Sequence, residues 1–259
     1  MKKSRKKTNH PRLRRAFKWT AYVLLALFAF SLFQVCLLKY VPVYYTPLML
    51  RRSWEAAGDG RTLELRRQWV PLEDISPNLV QAVVATEDNY FRGHYGFSLS
   101  GMKDAYKKNQ DGKIHRGGST ISQQCAKNVF TFGYRNYFRK AVEAYYTVLI
   151  EIVWGKERIM EVYLNVIEMG DGVFGAEACA QTFFKIPAKQ LTKRQSALIA
   201  ACIPNPRKLR IDAPSMYVIG RQKSIISKHM PNVGEQKFDK KSLQEARQRY
   251  KNRPRGTKK

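Results

Sequence analysis

Acidic residues are scarce in this chain. Twenty Asp and Glu stand against 47 Lys and Arg, a formal charge of +27. Four cysteines in 259 residues exclude a small disulfide-stapled scaffold, which needs a dense cysteine framework. With 16 glycines and 11 prolines the chain is neither collagen-like nor a low-complexity polymer. What it does have is a 44% hydrophobic composition, enough apolar surface to build a core, which excludes a disordered chain. The length suits one catalytic-size domain or two small ones, at ~100–200 residues per domain.

The positive charge is uneven. Residues 1–18 hold nine Lys and Arg and no acid, and residues 237–259 hold ten against Asp239 and Glu245. Both ends are basic tails around a moderately basic middle. Such tails bind anions, either nucleic acid or anionic lipid headgroups.

From Trp19 to Leu38 no residue is charged, and Gln34 is the one strongly polar side chain. At 1.5 Å per residue this run spans roughly the 30 Å hydrocarbon core of a bilayer. Lys18 and Lys39 close it, and Trp19 and Tyr40 sit where amphipathic rings favour the interface. The run is longer than the ~7–15 apolar residues of a signal peptide, and Gln34-Val35-Cys36-Leu37 offers no small-x-small cleavage site. Val35 also stands where a lipoprotein signal has a small residue before its cysteine. The segment therefore reads as an uncleaved single-pass anchor, with the basic arm on the cytoplasmic side and the body outside the cytoplasm. Cys125, Cys179 and Cys202 lie in apolar helical stretches with no C-x-x-C, and read as buried thiols with at most one bridge.

Beyond residue 72 the chain reads as mostly α. Ser76-Pro77 is a cap followed by proline at the first helical position, and Ser98 or Ser100 opens a stretch to Asn109. Thr120 with Gln123 and Thr192 with Gln195 are capping boxes. Further helices are expected over 137–154, 156–166, 174–184 and 214–230, with a short strand at 62–65 or 68–71.

Three places could carry chemistry. Glu87 and Asp88 are neighbours at a helix end, so they point different ways: one can face a cleft while the other makes local bonds. The negative end of a helix dipole is a poor place for two structural acids, although taken alone a solvated loop is the better explanation of them. Arg116-Gly117-Gly118-Ser119-Thr120 leads into a helix N-terminus, whose free N–H groups favour an anion. On the helix that follows, Gln124, Lys127 and Asn128 share a face. Arg139 and Glu143 stand four apart, either as an ordinary helical ion pair or as an anion-binding cation beside a second carboxylate.

In order along the chain, VATEDNYFRGHYGF (84–97), GGSTISQQCAKN (117–128), RKAVE (139–143), KERIMEVYLN (156–165) and ALIAACIPNP (197–206) resemble the five motifs of the family 51 peptidoglycan glycosyltransferases. The resemblance covers roughly residues 72–230, and EMGDGVFGAEA (168–178) looks closest to the monofunctional biosynthetic transglycosylases of Gram-negative bacteria. It implies a lysozyme-like α lobe beside a smaller, membrane-dipping jaw, with Leu99–Met102 and Tyr106 as jaw candidates. It implies polymerisation of lipid II onto a glycan carried on undecaprenyl pyrophosphate, forming β-1,4 links with inversion. Glu87 would be the general base and Glu143 the second carboxylate. Lys127 and Arg139 would hold the donor pyrophosphate, and Ser119, Thr120, Gln124 and Asn128 would line the donor site. Asp88, Phe91 and His94 would shape the base's pocket. The resemblance allows a divalent cation, Mg or Mn, at Glu143 or Glu87, and calls for no organic cofactor. Ser122 stands where the family usually has Thr.

By this reading residues 1–18 are a cytoplasmic arm, 19–38 a transmembrane helix, 46–230 a periplasmic glycosyltransferase domain at the inner membrane, and 231–259 a basic tail. Lipid II, the growing lipid-linked glycan, the membrane and cell-wall synthesis or division proteins are the expected partners; nucleic acid is not, because no zinc-finger, RNP or basic-zipper pattern is present. A transpeptidase is set aside because the S-x-x-K strings at 4–7 and 100–103 lack their companion motifs. A lytic lysozyme-like enzyme and a silent scaffold remain the alternatives.

Overall fold

The computed structural model describes residues 11–98, 118–132 and 136–253. The jaw candidates Leu99–Met102 and Tyr106, the stretch from Ser100 to Asn109, Arg116-Gly117, and the extreme ends of both basic tails lie outside the described residues.

The chain enters through a long helix, α1 (Pro11–Tyr40), whose apolar window is only 11% covered by protein. Side chains from Phe17 to Phe30 project outward from it without protein cover, as an anchor in lipid requires. Its last turns are different, because they dock on two later helices, α5 (Tyr137–Val153) and α6 (Gly155–Val166). Ser31 Oγ lies 2.5 Å from the Tyr145 hydroxyl, and Trp154 Nε1 donates to the Val35 carbonyl at 2.7 Å. The final carbonyls of a helix lack partners within it. Arg158 supplies them here, donating through Nη2 to Leu38 O (2.8 Å) and Val41 O (2.6 Å), with its charge at the negative end of the dipole.

A helix for which the sequence reading marked no start follows, α2 (Pro47–Gly58), capped by the Thr46 side chain with proline at its first turn. Arg52 on α2 is fully buried. Its guanidinium donates to Glu55 (2.8 Å), Glu168 (2.9 Å) and Asp171 (2.6 Å), which joins α2 to a small three-stranded sheet. That sheet has the order β1 (Arg66–Arg67), β3 (Val173–Phe174), β2 (Glu168–Gly170), with β1 parallel and β2 antiparallel to β3. The strand expected at 62–65 or 68–71 therefore lies between those two windows, where β3 offers a partner. The helix expected from residue 174 starts later, because Phe174 is in the sheet and Gly175, at φ 86°, turns the chain. A Cβ at Gly175 would come within 2.6 Å of the Asn165 carbonyl, so only glycine fits there.

The core is helical. α3 (Pro77–Glu87) packs on α8 (Lys193–Cys202), and α4 (Ile121–Phe130) packs on α5 and α6. Leu79, Val83, Ile121, Met160, Leu164 and Ile199 are fully buried between them. α7 (Ala176–Phe184) covers the sheet. The 214–230 region divides into α9 (Met216–Ser224), capped by Ser215, a π-helical turn over Ile225–His229, and the short α10 (Met230–Val233). Both expected capping boxes are present, at Thr120/Gln123 and Thr192/Gln195. All four cysteines are free thiols, and Cys125, Cys179 and Cys202 are buried. The basic tail is not a solvated appendage over its described length, since α11 (Lys240–Asn252) docks on the loop after α3.

Candidate active site

Ser76 caps α3, and Glu87 closes it. The Glu87 carboxyl is half-buried and accepts from Gln124 Nε2 at 2.9 Å. Gln124 is itself held, since the buried Tyr163 hydroxyl donates to its Oε1 at 3.2 Å. Burial pushes the Glu87 carboxyl above its ordinary value, and the Asp88 charge adds to this. The Gln124 bond and the charges of Arg221 and Lys127 pull the other way. Burial likewise raises the Tyr163 phenol, which stays a neutral donor.

Asp88 turns away from Glu87, as adjacent residues at a helix end must. Its carboxylate accepts from His94 Nε2 (2.9 and 3.0 Å) and from the backbone N–H of Ile121 (3.1 Å). The last bond fastens the end of α3 to the start of α4. Phe91 is fully buried and carries the Lys156 ammonium 4.5 Å above its ring. Lys156 in turn pairs with Glu151 (2.6 Å), which accepts from Ser122. The hydroxyl at 122 is thus part of a buried polar trio beneath the loop.

One turn along α4 the site changes sign. Lys127, Asn128 and Thr131 line a groove of about 190 Å³ with Arg139 from α5 and Arg51, Pro47 and Leu48 from α2. Desolvation lowers the Lys127 pKa, and Arg139, Arg51 and Lys140 lower it further, against Glu143. As a whole the residue is nevertheless exposed, on the wall of the groove. Glu143 is buried and paired to Arg139 (3.1 Å) and to Lys140, and Lys140 also donates to Ser119 Oγ (3.2 Å). So the ion pair foreseen from the i, i+4 spacing exists, and it sits inside the candidate site.

The structure brings most of the expected residues into these two adjoining clusters: Glu87, Asp88, Gln124, Phe91 and His94 at one end, Lys127, Asn128, Arg139, Glu143 and Ser119 at the other. Thr120 differs from its expected place lining the donor site. It is buried, and its hydroxyl is spent on Gly96 O (2.6 Å) and on capping Gln123 N–H, so its work is to fix α4. Arg51, Lys140, Tyr163 and Arg221 were not foreseen as site residues. Thr46-Pro47 repeats the start signal of Ser76-Pro77 and could have exposed α2, hence Arg51; no local signal marks Tyr163 or Arg221. Among the described residues no three His, Cys, Asp or Glu converge. Both Glu143 oxygens are engaged by cations, so the residues present do not fit a protein-built cage for a divalent metal.

A half-buried carboxyl thus lies beside a cationic groove, on a helical domain that follows one helix long and apolar enough to cross a membrane. The chain belongs to the transglycosylase family, whose model matches residues 58–230. It is 48% identical over 216 residues to a biosynthetic peptidoglycan transglycosylase of Bdellovibrio bacteriovorus, covering 83% of this chain and 86% of that protein. Proteins of the same description from Bacteroides thetaiotaomicron (41% over 242 residues, 92% and 98% covered) and Caulobacter vibrioides (47% over 207 residues, 78% and 88%) are also similar.

Proposed function

We propose that this protein polymerises lipid II into β-1,4-linked glycan on an undecaprenyl pyrophosphate carrier, with Glu87 as general base. The observation that carries this reading is the placement of a half-buried carboxyl and a cationic groove one helical turn apart on α4, through Gln124 and Lys127. Glu87 takes the proton of the acceptor's sugar 4-hydroxyl. The freed oxygen attacks the donor's anomeric carbon from the face opposite the leaving group, and the bond from that carbon to the pyrophosphate oxygen breaks. The anomeric centre inverts, and undecaprenyl pyrophosphate departs.

The departing group gains negative charge as the bond opens. Lys127, Arg139 and Arg51 are positioned before the reaction, so they stabilise that charge without reorganising. Burial brings the Glu87 pKa toward the working pH, where a general base is most effective; such groups typically contribute ~10²–10⁴-fold. The positive arm before α1 favours a cytoplasmic N-terminus, with the catalytic domain on the periplasmic face. A lipid-linked substrate stays in the bilayer, which suits an enzyme whose anchor is packed directly against the domain.

The test is polymerisation of labelled lipid II by detergent-solubilised protein beside Glu87→Gln, with the products resolved on a gel. A ladder from the wild type and none from Glu87→Gln supports the reading. Polymer from both refutes the role of Glu87, and shortening of preformed glycan would point to a lytic enzyme instead.

A further inference from the structure

Residues 237–253 lie beyond the family-matched segment, yet they contact six consecutive residues of the loop that carries Asp88. Tyr90 meets Tyr250 at a tilt (centroids 5.6 Å apart, planes at 57°) and lies under Arg253 (4.8 Å). Phe91 meets Phe238 edge to face, and Arg92 donates to Lys237 O at 3.0 Å. His94 meets Tyr250 at 5.9 Å, and Arg247 covers Tyr95 at 4.6 Å. Gly93 is the point of closest approach. Its φ is not positive, so its backbone does not require glycine. A Cβ there would stand 2.7 Å from Tyr250 Cβ and 3.0 Å from Ala246 O, so the glycine answers to α11 alone.

α11 has no buried residue, so it adds little to the core, and its packing is concentrated on this loop. The loop between α3 and residue 98 has no regular structure, and such segments open at low free-energy cost unless held. The contacts also form a path. Tyr250 touches His94, His94 bonds both oxygens of Asp88, and Asp88 holds the N–H of Ile121. That last bond sets the end of α3, with Glu87, against the start of α4, with Gln124.

We propose that α11 is a clamp on the catalytic loop, and that Tyr250 is a positioning residue acting on Glu87 through His94 and Asp88. The proposal rests on the reading of Glu87 as base. A misplacement of about 1 Å at a reacting group can cost ~10²-fold, so a loosened loop reduces turnover before it reduces binding.

The test compares full-length wild type, Tyr250→Ala and Tyr250→Phe by lipid II kinetics and by amide hydrogen exchange. Tyr250→Ala is expected to lower kcat about 10-fold with KM for lipid II within about twofold, part of the loss that a misplaced base can cause. Exchange is expected to quicken at Phe91, Gly93 and Ile121, whose N–H groups bond within this loop, and to stay slow in α8. Tyr250→Phe keeps the ring and is expected to keep kcat and exchange. Wild-type kcat and loop exchange in Tyr250→Ala overturn the proposal, and so does an equal loss in Tyr250→Phe. If Tyr250→Ala does not fold, Arg247→Ala with Arg253→Ala removes the cation–ring contacts to Tyr95, Tyr90 and Tyr250 while keeping the Tyr250 ring, and carries the same two readouts, with unchanged loop exchange overturning the clamp. Glu87→Gln assayed alongside keeps the two claims apart. Polymer from it defeats the base reading, while the exchange data still decide whether α11 holds the loop.

Discussion

Gln124 joins Glu87 to Tyr163, so Gln124→Leu is the sharpest single perturbation. Leucine preserves the volume and the helix propensity but removes both hydrogen bonds, the one to Glu87 (2.9 Å) and the one from Tyr163 (3.2 Å). A hydrogen bond to a charged acceptor contributes about 1.5–3 kcal/mol. This one favours the carboxylate over the acid, so losing it raises the Glu87 pKa further, in the direction burial already drives it. The base works only when deprotonated, so the acid limb of the pH–rate profile moves to higher pH. Below the limb, kcat/KM falls about 10- to 100-fold, and the deficit shrinks as pH rises. The Tyr163 hydroxyl is left buried without its partner, at a cost of about 1–3 kcal/mol in stability. Initial rates of lipid II polymerisation across pH, paired with thermal unfolding, measure both effects. An acid limb that stays in place, or moves to lower pH in a folded variant, would refute the reasoning.

Burial also makes Glu87 a stability determinant. Its folded pKa is raised, so the associated stability is present below the unfolded pKa and lost as pH rises through the folded one. Glu87→Gln is therefore expected to melt above the wild type at about pH 8, with the gap closing toward acid pH; a gap that widens on acidification contradicts this. Arg139→Ala with Lys140→Ala leaves the buried Glu143 without its paired cations and should cost about 3–5 kcal/mol, with Glu143→Gln on that background restoring part of it. No recovery in the triple variant would mean that the charge is not the cause. Arg52→Ala strands Glu168 inside the protein and should cost about 3–5 kcal/mol, whereas Arg61→Ala, at an exposed pair, should cost at most about 1. Equal losses in denaturant unfolding at the two positions would refute the role of burial.

The helices that were legible in the sequence share a local cause. Ser76, Thr120, Thr192 and Ser215 each accept from a backbone N–H two or three residues on, so the start signal and the structure it makes lie within one turn. The long apolar helix was legible for a similar reason, since length and lack of charge decide it. The same kind of signal at Thr46-Pro47 was there and went unused. The small sheet was not legible strand by strand, because two- and three-residue strands carry no period, and β1 depends on a partner about a hundred positions away. Motif resemblance named Glu87, Lys127, Arg139 and Glu143, but the spacing of Arg139 and Glu143 could not distinguish a surface ion pair from a buried one.

By itself, then, the sequence determined the long apolar helix, the helix starts and the residue types available for glycosyl transfer. All of these follow from composition or from bonds that span a few residues. Only the tertiary structure decided that Gln124 rather than solvent meets Glu87, that Tyr163 stands behind it, that Arg51 joins the cationic groove, and that α11 closes on the loop of Asp88. Those contacts link residues 37 to about 160 positions apart. They form only where the buried faces of several helices are satisfied together, a condition that no local window of the chain contains.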